Sequence, residues 1–67
     1  MQADECMEGL KGSGYENYQK FEARAHEMGV YALLSEHHGQ VLYDFRFQDG
    51  SRITWRGNPK TGTYHAS

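Results

Sequence analysis

A single cysteine, Cys6, has nothing within the chain to pair with, so an internal disulfide is excluded. The C-x-x-C spacing of zinc fingers is missing, and no H-x-x-x-H pair replaces it. No apolar run approaches the roughly 18 to 20 residues that a bilayer-spanning helix needs. The opening MQADECMEGL is acidic where a secretory signal is basic. Bases are scarce as well: seven Lys and Arg against nine Asp and Glu give a net charge of -2. These shortages predict a soluble cytoplasmic protein in a reducing compartment, with no cofactor.

Apolar and aromatic residues are plentiful. Hydrophobic content is 37%, with five Tyr, three Phe and one Trp, too rich for a disordered chain of this net charge. Sixty-seven residues predict one domain, 1–67, with a compact aromatic core. A chain this short buries only roughly 60% of its unfolded surface, so a homodimer or a bound partner would supply burial that the monomer lacks. Charge is unevenly placed: the first 36 residues hold seven acids and three bases, the remainder two acids and four bases. One acidic and one mildly basic face are expected.

The pattern predicts an α+β fold: one amphipathic helix on one face of a three- to four-stranded antiparallel meander. Residues 1–12 form an arm or a short helix, with Ala3, Cys6, Met7 and Leu10 at helical spacing. Residues 14–28 form the main helix. Ser13 with Glu16 has the form of a capping box, Tyr18, Phe21, Ala25 and Met28 make one stripe, and Gly29 stops the helix. Residues 30–66 change to a period of two, and VYALLSE, QVLYDFRF, SRITWRG and TYHA read as strands.

Registers follow from keeping apolar residues on one face. A three-residue loop, Gln48-Asp49-Gly50, sets Phe45 opposite Ile53 and Tyr43 opposite Trp55. A three-residue loop at His37-His38-Gly39 would set Leu33 opposite Tyr43 and Tyr31 opposite Phe45. A two-residue His38-Gly39 turn would instead move Leu34 to the core face. The first choice gives a core of Tyr31, Leu33, Val41, Tyr43, Phe45, Phe47, Ile53 and Trp55.

Between the last two strands lies RGNPKTG, Arg56 to Gly62. Pro59 suits the first corner of a type I turn, Asn58 bonds the backbone, and Gly62 returns the chain. Gly57 then falls opposite Tyr64, which lies over the gap left by the missing side chain. The stretch is also similar to the tip of the β-arm in the HU and integration-host-factor family. That resemblance implies Pro59 as a wedge between base pairs, with Arg56 and Lys60 on phosphates. It covers seven residues, and the family's long arm and dimerising helices have no counterpart here.

Other constellations are weaker. Glu22 and His26, with His37, His38 and Cys6, could be arranged around a metal, but their spacing favours solvated polar residues. No nucleophile, base and orienting acid stand together, so no enzyme is expected. Arg46, Arg52 and Arg56 project from the sheet face opposite the core, with Asp44 diagonal to the first two in an internal charge ladder. Val30, Ala32, Leu34 and Leu42 on that face make an apolar patch. Either the N-terminal segment folds back over it, or another chain covers it.

The expected function is a non-catalytic protein-binding module. It presents Leu34, Leu42, Arg46, Arg52 and Arg56 on the sheet, and Glu16, Glu22 and Glu27 on the helix, to a protein or multiprotein complex. In size and charge the chain resembles phage and plasmid inhibitors of host nucleic-acid-processing or defence complexes, anti-CRISPR proteins among them. The alternative is a small nucleic-acid-binding regulatory protein using the basic sheet face and the Pro59 tip.

Overall fold

The computed structural model describes residues 1–67. Two helices, α1 (Gln2–Met7) and α2 (Tyr15–Glu27), precede four strands: β1 (Leu33–His37), β2 (Gln40–Arg46), β3 (Arg52–Asn58) and β4 (Thr63–Ala66). The strands form one antiparallel sheet in the order β1-β2-β3-β4, the expected meander.

The stripe on α2 covers one sheet face. Tyr18, Phe21 and Ala25 are buried against Phe45, Trp55 and Tyr64, with Phe47 at the end of the sheet. The rings interlock edge to face: Phe21 meets Phe45 at 4.9 Å and 80°, and Tyr18 meets Trp55 at 5.5 Å and 73°. Trp55 Nε1 is the one buried side-chain polar atom without a hydrogen-bond partner.

Helix α2 begins differently from its expected capping box. Its N-cap is Gly14, at φ 94°, with no side-chain cap. Ser13 is instead drawn into a bridge with His65, and the Gly14 N–H donates to Tyr64 O at 2.9 Å while the Ala66 N–H donates to Gly12 O at 2.8 Å. Backbone pairing to β4 thus overrides the local capping preference. The far end is a Schellman motif: the Val30 N–H reaches Ala25 O and the Gly29 N–H reaches His26 O, both at 2.9 Å, with Gly29 at φ 77°. Val30 follows this motif as its apolar residue and is buried in the core, which corrects its expected place on the outer face.

That capping delays the first strand, which starts at Leu33 where residue 30 was expected. The β1–β2 turn is the two-residue His38-Gly39, with φ of 50° and 77°, and it sets Leu34 opposite Tyr43 and Leu33 opposite Asp44. Two positive φ values give the type I′ twist that matches paired strands, and histidine tolerates the left-handed region better than most residues. The three-residue loop is therefore overturned. Leu34 lies on the helix side, Leu33 on the outer side, and Tyr31 is exposed outside the core.

The other two registers are as expected. Phe45 pairs with Ile53 and Tyr43 with Trp55, around a loop whose Gly50 has φ 89°. Gly57 pairs with Tyr64, and a Cβ there would overlap the Tyr64 ring.

Helix α1 does not fold over the outer face. Ala3 and Cys6 join the α2-side core, and Arg24 Nη1 donates to Cys6 O at 3.1 Å and Glu8 O at 2.6 Å. The β2–β3 loop caps α1 from outside: the Gln2 N–H donates to Asp49 Oδ2 at 2.7 Å and the Ala3 N–H to Ser51 Oγ at 3.1 Å.

Candidate functional site: an open sheet edge and a basic outer face

The two edges of the sheet differ. The β4 edge is paired by residues 12–14, as described above. The β1 edge has no partner, and all five of its residues are exposed. In a two-residue hairpin the closing pair, here His37 and Gln40, is hydrogen-bonded. Alternation then directs the N–H and C=O of Leu34 and Glu36 away from β2, toward the open side.

Apolar exposure gathers at this edge. Tyr31, Leu33 and Leu34 are 68%, 57% and 67% exposed, in a chain whose other exposed large apolar side chains are Met1 and Tyr15. Leu33 and Leu34 point to opposite faces, so the strip is amphipathic in neither direction. An unpaired, apolar edge is a template for another strand unless something covers it.

The outer face carries Leu42, Asp44 and Arg46 on β2, Arg52, Thr54 and Arg56 on β3, and His65 on β4. Arg46 stands opposite Arg52, and Asp44 bridges them, accepting from Arg46 Nε at 3.0 Å and from Arg52 Nε at 2.9 Å. The expected charge ladder is present. Arg56 makes no ion pair and stands between Leu42 and His65. It lines a hollow of about 220 Å³ with His37, His38, Gln40 and Leu42.

The hairpin tip is closed by its own bonds. The Lys60 N–H donates to Asn58 Oδ1 at 3.0 Å, the Gly62 N–H donates to Asn58 O at 2.8 Å, and Gly62 has φ 71°. Turn chemistry accounts for Asn58, Pro59 and Gly62, while Pro59 and Lys60 remain exposed. No Phe, Tyr or Trp lies on the outer face to stack a base.

The helix acids separate into two kinds. Glu16 and Glu27 are exposed, whereas Glu22 is half-buried and accepts the Tyr18 hydroxyl at 2.7 Å. That bond and burial raise the Tyr18 pKa, burial acting most strongly. Burial, the Tyr64 hydroxyl and the Glu22 charge push Tyr43 up to about 12.

No group of three or more His, Cys, Asp or Glu side chains comes together to hold a metal. Cys6 is buried with its thiol 3.2 Å from Met28 Sδ, and burial raises its pKa. His26 lies against Tyr31, ring centres 4.7 Å apart, and His37 meets His38 at 4.3 Å.

Of the side chains expected to act together, Leu42 and Arg56 are adjacent, Arg46 and Arg52 are engaged with Asp44, and Leu34 is on the opposite face. The open edge at Leu34 and Glu36 was missed by sequence reasoning. The His38-Gly39 pair was the signal for it, because a two-residue turn fixes which backbone groups face outward. No helix is long and apolar enough to cross a membrane. No protein-family model, curated protein or solved structure matches the chain.

Proposed function

We propose that the protein is a non-catalytic binding module that takes an extended segment of a protein partner as a fifth strand along β1. The observation that carries this reading is the asymmetry of the edges. The chain covers its own β4 edge and leaves β1 open with Tyr31, Leu33 and Leu34 exposed. In strand addition the backbone supplies affinity and alternate side chains supply specificity.

The most concrete version is an inhibitor. By pairing with a strand or extended loop of a larger nucleic-acid-processing or defence complex, the protein blocks that complex by occupancy, in the manner of anti-CRISPR proteins. Small size and an acidic helix side with a basic sheet side support this version, as does a single unpaired cysteine for a cytoplasmic setting. Use of the outer face as a nucleic-acid platform is less favoured, because two of its arginines are engaged with Asp44.

The test is selection of random 12-residue peptides on the immobilised protein and on Glu36→Pro. Proline at an outward-facing position removes one edge N–H without breaking the β1–β2 ladder, so the variant keeps its fold. Peptides recovered on the wild type should lose at least tenfold in affinity on Glu36→Pro, and should slow amide exchange at Leu34 and Glu36. Ligands that bind both proteins equally, or protect residues away from β1, would overturn the reading.

A further inference from the structure

We infer that the hollow bounded by His37, His38, Gln40, Leu42 and Arg56 is a carboxylate site, which receives an acidic side chain of the segment that adds to β1. The identity of the ligand's carrier rests on the strand-addition reading; the carboxylate chemistry of the hollow stands on its own geometry.

The outer face holds three arginines and one carboxylate. Asp44 gives one oxygen to Arg46 and the other to Arg52. Arg56, on the same face of β3, has no acid within ion-pair distance and no side-chain hydrogen bond. No Asp or Glu lines the hollow, whereas a guanidinium, two histidines and a glutamine do. A guanidinium presents five donors and accepts nothing, so the missing complement is an anion.

The choice of carboxylate follows from the surroundings. The same face already shows how it binds that group, with guanidinium Nε atoms on each oxygen of Asp44. Arg56 is the only permanent cation on the hollow, and the strands of this face carry no Phe, Tyr or Trp on which a nucleobase would stack. Leu42 supplies an apolar wall for the methylenes of a glutamate.

The position links the hollow to the open edge. His37 ends β1 and closes onto Gln40 across the turn, and both line the hollow. A segment lying along β1 therefore runs beside His37, at the β1 border of the hollow. Arg56 is exposed, so a free carboxylate binds weakly. An acidic side chain on a segment already held by β1 is confined nearby, so a weak intrinsic affinity suffices there.

The experiment is an NMR titration of the isotope-labelled full chain with sodium acetate. Sodium chloride at equal ionic strength is the control, and inorganic phosphate forms a third series. Acetate should give saturable shifts at the Arg56 side-chain N–H and the Leu42 and Gln40 amides. Arg56→Gln should weaken that binding at least fivefold, and Arg56→Lys by less. Glu36→Pro should leave it unchanged, so failure of strand addition and failure of this site are separately visible. Shifts no different from those with chloride, or equal in Arg56→Gln, would overturn the site. Phosphate binding tenfold or more tighter than acetate would overturn its assignment to a carboxylate.

Discussion

Gly57→Ala should be among the most damaging single-methyl additions to this protein. The added Cβ would run into the Cε2, Cδ2 and Cζ atoms of Tyr64, which is buried and pairs across the sheet with Gly57. Tyr64 has little room to yield, because its ring lies 5.0 Å from Tyr15, 5.0 Å from Tyr18 and 6.2 Å from Tyr43. Overpacking of this kind costs about 1–3 kcal/mol, and each displaced aromatic pair forfeits about 0.5–1.5 kcal/mol more. A loss of about 3 kcal/mol is expected. Domains of this length hold only about 0.05–0.15 kcal/mol per residue, so such a loss removes a large share of the stability. In a Tyr64→Ala background the same substitution should change sign. Gly57 has an ordinary strand φ, and replacing glycine there lowers the entropy of the unfolded chain by about 0.5–1 kcal/mol equivalent. Urea unfolding followed by the single, fully buried Trp55 reports all four members of the cycle. A cost below about 1 kcal/mol in the wild type, or an equal cost in both backgrounds, would refute the reasoning.

Two pH dependences follow from the titrating groups. The Asp49 carboxyl is held down to about 2 by the Ser51 hydroxyl first, and then by the Gln2 and Ser51 backbone N–H groups. Its contribution is complete above the ordinary carboxylate value near 3.8 and is lost as pH falls toward 2. Protection of the α1 amides relative to their intrinsic exchange should therefore fall between pH 4 and pH 2, and Asp49→Asn should remove that dependence; a wild-type protein with no change in protection across this window would contradict the cap. At the alkaline end, Tyr43 is pushed up to about 12 and Tyr18 is also raised, both chiefly by burial. Raised tyrosines stabilise the fold below the ordinary value of 10 and lose that contribution as pH climbs to about 12. Tm should fall across that interval, with tyrosinate absorbance rising as the protein unfolds; a constant Tm from pH 9 to 12 would exclude the coupling.

Much of the fold was legible because side-chain period and turn chemistry agreed. Tyr18, Phe21 and Ala25 recur at helical spacing and are buried, and Gly50 and Gly62 take the positive φ their loops require. The pairing of Gly57 with Tyr64 followed from a four-residue loop and a missing side chain. The errors lie where two local preferences competed. VYALLSE alternates poorly, so apolar pattern alone did not decide between Leu33 and Leu34, and turn geometry decided it. Ser13 and Glu16 have a capping spacing, but β4 claims the backbone at Ser13. Of the candidate site, the Asp44 ladder was readable from register alone. The isolation of Arg56 was not, because it depends on which acids are already engaged.

The open edge has a simple cause in the dimensions of the layers. Helix α2, with 13 residues, is about 20 Å long and about 10 Å wide. Four strands spaced about 4.8 Å apart set the outer two roughly 14 Å apart, before their side chains are counted. One helix cannot shade that width. It is centred toward β4, since Tyr18 touches Tyr43 on β2, Trp55 on β3 and Tyr64 on β4, and Phe21 touches Phe45 and Trp55. The short helix α1 packs beside α2 at the end of the sheet that holds Phe47, anchored to the β2–β3 loop through Asp49 and Ser51. Residues 12–14 must then run along β4 to connect the two helices, and this connection is what pairs that edge. Every element that could cover apolar surface is therefore committed away from β1. Retaining Tyr31, Leu33 and Leu34 there gives the fold little burial, whereas polar residues would cost it little. The strand addition proposed above would give Leu33 and Leu34 the burial that the fold by itself does not.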